Sequence, residues 1–123
     1  MKAADAEVLP DQSETIREAQ AKPSPREEAA AKRQPPYAVV LHNDDVNTFD
    51  HVVAVLRKVF QYDRMKAFRL TLQTHQSGRG IVWSGSLEVA ELKADQIRSC
   101  GPDPSMLSRG ALPLRTSVEP LPQ

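Results

Sequence analysis

The stretch Pro36-Tyr37-Ala38-Val39-Val40-Leu41-His42-Asn43-Asp44-Asp45 decides the fold of the chain. Its first half alternates, with Tyr37, Val39 and Leu41 on one side, and it is rich in β-branched residues, which indicates a β-strand. The polar run Asn43-Asp44-Asp45 then ends the strand in a loop. The sequence therefore predicts a strand whose end presents two carboxylates and an amide.

Two helices follow this acidic loop. Asn47 or Thr48 is a suitable N-cap for the first helix, which is predicted to end near Phe60. Asp63 can cap a second helix, and Gly78 closes it. The domain is therefore predicted to begin with the order β-α-α.

The second helix carries a periodic row of side chains. Met65, Phe68, Leu72 and His75 follow one another at spacings of three, four and three residues. Such spacings place side chains on one face of a helix, so the row is predicted to be an apolar stripe that ends in a histidine. The helix thus brings an imidazole from an element other than the acidic loop.

The remaining elements complete a small sheet. Ile81-Val82-Trp83 is predicted as a short strand, and Ser86 caps a third helix that runs to about Ser99. A last strand is predicted from the alternation that begins at Leu114 and ends at Val118. The order β-α-α-β-α-β predicts an α+β fold, a small two-layer domain with a three-stranded sheet packed on helices.

The chain is predicted to divide into an extension, a domain and a tail. Residues 1–36 contain no Phe, Trp or Tyr and hold five of the ten prolines. Such a segment buries too little to offset its ordering entropy, so it is predicted to be a flexible, disordered N-terminal arm. The domain is predicted over residues 37–119 and the tail over 120–123. Within the domain, residues 101–111 form an unusually long connection that we expect to be mobile.

Charge and composition exclude several kinds of partner and site. Sixteen basic residues balance sixteen acidic ones without a basic stripe, so neither nucleic acid nor anionic lipid is an expected partner. Cys100 is the single cysteine, which excludes an internal disulfide and a cysteine-rich zinc site and is typical of a reducing compartment. No segment approaches about 18 consecutive apolar residues, and the first 20 residues lack the apolar run of a signal peptide. We therefore expect a cytoplasmic protein that does not span a membrane.

The acidic loop and the histidine can serve one purpose if the fold brings them together. An ammonium group offers three donors and no acceptor, and Asn Oδ1, Asp Oδ and a neutral His nitrogen supply three acceptors. Asn43, Asp44 and His75 are therefore candidates for binding an ammonium group. The local pattern by itself favours simpler alternatives, namely a turn whose side chains cap backbone amides and a half-buried histidine that only packs.

Metal binding and nucleophilic catalysis have weaker support. His42, Asp44, Asp45 and His75 are conceivable metal ligands, but no pair of them has a familiar metal-site spacing. Cys100 lies at a helix end with no nearby histidine, so we interpret it as an incidental thiol. No catalytic residue, metal ion or cofactor is expected.

Three blocks of the sequence resemble the ClpS family, the adaptors of bacterial Clp proteases. This family binds polypeptides that begin with a bulky hydrophobic residue, the N-degron, and delivers them to the ATP-driven unfoldase ClpA or ClpC for degradation by ClpP. The resemblance implies that this chain is a non-enzymatic adaptor, and it covers Pro36 to about Glu119. The matching blocks are the opening stretch followed by Thr48-Phe49-Asp50-His51-Val52-Val53, then Thr74-His75-Gln76-Ser77-Gly78-Arg79-Gly80, and finally Leu87-Glu88-Val89-Ala90-Glu91-Leu92-Lys93.

The resemblance also implies a role for each matching position. Asn43, Asp44 and His75 hold the α-amino group of a substrate that begins with Leu, Phe, Tyr or Trp, and Asp45 supports their loop. Glu88 and Lys93 dock on the unfoldase, and the N-terminal extension engages the unfoldase during delivery. Phe49 stands where the best-known members have a methionine gate, so first residues branched at Cβ are expected to be excluded. The pocket for the hydrophobic side chain is formed by Phe49, Val52, Thr71, Thr74 and, from the last strand, Leu114.

Two other functions are alternatives. The C-terminal domain of the ribosomal stalk protein resembles the ClpS family in fold and recruits translation factors through a helical face. A stalk-like interaction module without N-degron binding is therefore the first alternative. The second is a metal-dependent hydrolase that uses Asp44, Asp45 and His75, and it predicts tight metal binding.

Overall fold

The computed structural model describes residues 35–122. The predicted flexible arm over residues 1–36 therefore lies outside the described residues, apart from Pro35 and Pro36. The carbonyl of Pro36 accepts a hydrogen bond from the backbone N–H of Leu121 at 2.9 Å. The segment predicted as a tail is thus attached to the domain at its beginning.

Three strands form one antiparallel sheet. β1 is Tyr37–His42, β2 is Arg79–Gly85 and β3 is Thr116–Pro120, and their order across the sheet is β2-β1-β3. β1 is central because both neighbours pair with it, and its residues 38–41 are all buried. The strand predicted at the start of the domain is confirmed.

Three helices pack around this sheet. α1 is Phe49–Phe60, α2 is Arg64–Ser77 and α3 is Leu87–Ser99. None of the helices among the described residues is long and apolar enough to cross a bilayer. The predicted α+β fold and its element order are confirmed. A side chain caps each helix by accepting a hydrogen bond from the backbone N–H three residues further on, and these caps are Thr48, Asp63 and Ser86.

The main core joins the helices to β1. Leu56 of α1 and Ile97 of α3 are fully buried and belong to one cluster with Val39 and Leu41 of β1. Burial of a side chain of this size stabilises the fold by roughly 1.5–3 kcal/mol. The core therefore fixes the end of β1, where the acidic loop begins.

The face that α2 buries differs from the predicted stripe. Met65 is 64% exposed and Phe68 is 45% exposed, whereas the buried residues of the helix are Ala67, Thr71 and Thr74. These three also follow a helical period, so the predicted period was right and the predicted face was wrong. Small side chains occupy the buried face because the backbone of β2 passes close to it.

Gly80 at the start of β2 permits this close approach. A Cβ atom at Gly80 would lie 2.6 Å from Oγ1 of Thr74, which is closer than side chains can pack. Any other residue there would displace the Thr74 hydroxyl, which is hydrogen-bonded within α2. The glycine thereby keeps the end of α2 beside the strand, and that end of the helix carries His75.

The segment between α3 and β3 also differs from prediction. Leu114 precedes β3 instead of lying within it. The long connection over residues 101–111 contains a short 3₁₀-helix, Pro104–Arg109. Asp103 caps this helix through its side chain, which accepts from the backbone N–H of Ser105 at 2.9 Å. The 3₁₀-helix and its cap thus provide hydrogen-bond partners for backbone groups of the connection that do not pair with a strand.

Candidate functional site

A cavity of about 280 Å³ opens where the acidic loop meets α1 and the end of α2. Its size is close to the lower end of the range of roughly 300–1,000 Å³ that is usual for ligand pockets. Every residue predicted for the amino-group site, its support and the hydrophobic pocket lines this one cavity. Those residues are Asn43, Asp44, Asp45, Phe49, Val52, Thr71, Thr74, His75 and Leu114.

The cavity has a buried base and a polar mouth. Thr71 and Leu114 are no more than 4% exposed and form part of the base. Asp45 and His75 are exposed, and Asp44 is half-buried. This gradient suits a ligand with an apolar body and a polar head, because only the head stays near water.

The hydroxyl groups at the base are already hydrogen-bonded. Oγ1 of Thr71 donates to the carbonyl of Ala67 at 2.7 Å, and Oγ1 of Thr74 donates to the carbonyl of Leu70 at 2.9 Å. Both donors are therefore satisfied within α2. The base demands no polar partner from a ligand, although two threonines line it.

Asp44 organises the acidic loop as a turn. One of its oxygens, Oδ1, accepts the backbone N–H groups of Val46 at 2.7 Å and Asn47 at 2.9 Å. The other, Oδ2, accepts the side-chain Nδ2 of Asn47 at 2.7 Å. The simpler interpretation of the loop as an amide-capping turn is thus correct for Asp44. These three bonds do not occupy every acceptor site of Asp44. An ionised carboxylate has about four lone-pair sites, and Oδ2 accepts only one of the three bonds.

The same contacts keep Asp44 charged. Burial tends to raise the pKa of its carboxyl group, but hydrogen bonds from Asn47 and Val46 and the positive charge of Arg115 outweigh burial, so the pKa lies below its ordinary value. Asp44 is therefore an anion at neutral pH. Its charge at the mouth of the cavity favours a cationic group there.

Backbone bonds hold the acidic loop against its neighbours. The N–H of Asn43 donates to the carbonyl of Gly78 at 2.9 Å, which joins the loop to the residue that ends α2. The N–H of His42 donates to the carbonyl of Arg115 at 3.0 Å. Asp45 is exposed and makes no hydrogen bond to residues 35–122, so its supporting role stays a prediction.

Asn47 is a polar residue of this site that the sequence did not single out as functional. It is 6% exposed, and its Nδ2 donates to the carbonyl of Leu112 at 2.8 Å in addition to Asp44. Its Oδ1 accepts the backbone N–H of Asp103 at 2.8 Å. The amide therefore links the acidic loop to the long connection. In the sequence, Asn47 was considered only as a possible N-cap of the first helix. Thr48 is the N-cap in the structure.

Asp103 attaches the long connection to the start of α1. Its carboxylate accepts hydrogen bonds from Oγ1 of Thr48 and from Oγ of Ser105, and these bonds lower the pKa of Asp103 well below its ordinary value. Nε2 of His51 lies 3.1 Å from the carbonyl of Gly101. The long connection thus holds the start of α1, the helix whose first residue lines the cavity. The sequence of the connection did not indicate this role.

Glu88 and Lys93, predicted to dock on a partner, lie outside the lining of the cavity. Glu88 is exposed in the first turn of α3. Nζ of Lys93 donates to the carbonyl of Val59 at 2.9 Å, and burial lowers the pKa of this lysine. Their docking role stays a prediction.

The part of the chain that the structure describes holds no cluster of three or more His, Cys, Asp or Glu side chains arranged for a metal ion. His42, which was considered as a ligand, instead has its Nε2 at 2.9 Å from Oγ of Ser117. The hydrolase alternative therefore has no ligand cluster within residues 35–122.

Comparisons with known proteins agree on one family. The family model described as "ATP-dependent Clp protease adaptor protein ClpS" matches residues 32–105. The ATP-dependent Clp protease adapter protein ClpS of Thermosynechococcus vestitus is 41% identical over 80 residues, which cover 64% of this chain and 85% of that protein. The ClpS of Myxococcus xanthus is 36% identical over 89 residues, which cover 72% and 78%. The structure of Agrobacterium tumefaciens ClpS2 bound to L-phenylalaninamide is similar with a TM-score of 0.62 and 29% identity, and the match covers 72% of this chain and 100% of that one.

Proposed function

The chain belongs to the ClpS family of ATP-dependent Clp protease adaptors, and we propose that it binds substrates through a free N-terminal Leu, Phe, Tyr or Trp and delivers them to a Clp unfoldase. It acts as an adaptor and catalyses no reaction itself. The related ClpS2 of Agrobacterium tumefaciens was solved with L-phenylalaninamide, which has an aromatic side chain and a free amino group.

One observation carries the proposal: a single cavity combines an apolar base with an anion at its mouth. Leu114 at the base is 1% exposed, while Asp44 at the mouth is half-buried and charged. An N-terminal residue with a large apolar side chain has the two complementary parts, an apolar body and a cationic amino group. No internal residue of a polypeptide has them, because its nitrogen is an uncharged amide.

The α-amino group is held by three acceptors in this proposal. Asn43 Oδ1, Asp44 Oδ2 and a nitrogen of His75 each take one of its three N–H groups. Each charge-assisted hydrogen bond contributes roughly 1.5–3 kcal/mol. Burial of the side chain at the base contributes about 1.5–3 kcal/mol more. After the costs of association, these contributions correspond to a dissociation constant on the order of micromolar, which suits an adaptor that must release its cargo.

The test is a binding series in which only the first residue of a labelled peptide changes. Peptides that begin with Leu, Phe, Tyr or Trp are expected to bind about 10- to 100-fold more tightly than the same peptide beginning with Ser, since Ser leaves the apolar base empty. Fluorescence anisotropy of labelled peptides with the full-length chain measures the affinities.

A control peptide carries one added Ser before the Leu or Phe, which moves the apolar side chain away from the amino group. Equal affinity for the original and the extended peptides would contradict the proposal. That outcome would favour the alternative of a ribosomal-stalk-like module, which binds through a surface and has no use for a free N-terminal residue.

Docking on the unfoldase, ClpA or ClpC, is the second part of the proposal. Glu88 projects into solvent at the start of α3, and Lys93 lies on the same helix. The N-terminal extension, residues 1–36, is proposed to engage the unfoldase during delivery.

The docking surface is tested by charge reversal at Glu88. Glu88→Lys is expected to weaken binding to the unfoldase by roughly tenfold, because it reverses the charge at a proposed contact. Glu91→Lys makes the same charge change on the same exposed helix and is the matched control. Calorimetry measures both variants, and equal losses in both would show a general charge effect instead of a docking position. Peptide binding should not change, since Glu88 lies outside the cavity lining.

A further inference from the structure

Two aromatic rings meet beside the mouth of the cavity. The ring centroids of Phe49 and Phe68 lie 5.1 Å apart, and the ring planes are inclined by 60°. This distance and tilt are within the range that aromatic pairs prefer. Phe49 is the first residue of α1 and Phe68 belongs to α2, so the pair joins two elements across the edge of the site.

The two rings differ in their relation to the cavity. Phe49 is half-buried and lines the cavity, whereas Phe68 is 45% exposed and lies outside its lining. Thr71, one turn after Phe68 on α2, lies at the base. Phe68 therefore contacts Phe49 from outside the cavity lining. Exposure of so large an apolar ring is unfavourable by itself, and the contact with Phe49 covers part of it.

We propose that Phe68 is a positioning residue that fixes the ring of Phe49 at the cavity mouth, so that first residues branched at Cβ are rejected. This inference rests on the proposed function. A lone aromatic side chain at a helix start can move between staggered rotamers. Contact with a second ring on a different helix restricts Phe49 to the conformation in which it faces the cavity.

The discrimination follows from where side chains branch. Ile and Val carry two heavy atoms on Cβ, next to the backbone, and their χ1 angles are restricted. In the proposed binding mode Asp44 holds the amino group, so Cβ of the first residue lies in the part of the cavity next to Asp44. We assign the ring of Phe49, which lines the same cavity, to that level. Leu, Phe and Tyr widen only from Cγ, which lies deeper. A fixed Phe49 ring therefore excludes Ile and Val as first residues and admits Leu, Phe and Tyr.

The experiment compares Leu-first with Ile-first peptides on the wild-type chain and on Phe68→Ala. The wild type is expected to prefer Leu, and Phe68→Ala is expected to narrow this preference by roughly 2- to 10-fold, the range that an aromatic pair accounts for. The change should come from tighter binding of the Ile-first peptide, with Leu-first affinity altered by less than about twofold. Fluorescence anisotropy gives the four affinities.

Two further variants separate positioning from general damage. Phe68→Tyr keeps a ring and should restore the wild-type preference, and Met65→Ala removes an exposed apolar side chain from the same face of α2 and should leave it unchanged. An unchanged Leu-to-Ile ratio in Phe68→Ala, or an equal loss of both affinities, overturns the role of Phe68 while the proposed function stands. Wild-type binding that does not depend on a free amino group overturns both.

Discussion

Acetylation of the α-amino group is expected to weaken binding of a Phe-first peptide by about a hundredfold or more. The acetyl group removes the positive charge and leaves a single N–H where the proposed site offers three acceptors. Asp44 would then face an uncharged amide instead of a cation. Fluorescence anisotropy with the free and the acetylated forms of one labelled peptide measures the effect.

Asp44→Asn assigns this effect to one side chain. The amide oxygen can still accept the backbone N–H groups of Val46 and Asn47, so the turn keeps two of its three bonds. The charge is lost, and a donor now faces Nδ2 of Asn47. Free peptide should lose about 10- to 100-fold in affinity, while acetylated peptide should change by less than about threefold.

Asp50→Asn is the matched control for that variant, because Asp50 is exposed in the first turn of α1 and loses the same charge. A proportional loss for free and acetylated peptides in Asp44→Asn would mean that Asp44 acts only as a turn residue. Thermal unfolding of each variant distinguishes a loss of binding from a loss of folded protein.

Much of the fold could be predicted because its signals are local. The alternation in β1, the caps at Asp63 and Ser86 and the glycine that ends α2 each act over a few residues, and each was placed correctly. Thr48 was one of the two caps predicted for α1. The buried face of α2 could not be predicted. Met65 and Phe68 are more hydrophobic than Thr71 and Thr74, so a hydrophobicity pattern predicts that they are the buried residues. The close approach of Gly80, however, leaves room only for small side chains on that face of the helix.

The site was predictable only in part. The resemblance indicated which residues lie around the cavity, and the structure brings all of them together. It did not indicate Asn47 and Asp103, whose contacts span 56 residues of sequence. Hydrogen bonds of this kind depend on the placement of a connection that has no periodic pattern. The pair of Phe49 and Phe68 was missed for a related reason, since the periodicity of the second helix identified Phe68 only as a member of its apolar stripe.

Asn47→Leu is expected to lower the free energy of unfolding of the domain by about 2–4 kcal/mol. The two side chains have similar size, but leucine leaves the buried N–H of Asp103 without its partner. It also removes the half-buried bonds to the carbonyl of Leu112 and to the carboxylate of Asp44. For a domain of this length the melting temperature should fall by roughly 10–20 °C. Circular dichroism during heating measures it, and a fall of less than about 3 °C would contradict the structural role of the amide.

Asn43→Leu is the matched control, because it makes the same chemical change at the residue directly after β1, where the side chain is half-buried and lines the cavity. The backbone N–H of Asn43 that bonds to Gly78 is retained in this variant. Asn43→Leu should therefore lose peptide affinity with little change in stability, whereas Asn47→Leu should lose both, since Asp44 loses the amide that orients it. If the two variants reduce stability equally, both asparagines are needed for the folded loop. That result would contradict the assignment of binding to Asn43 and of structural support to Asn47.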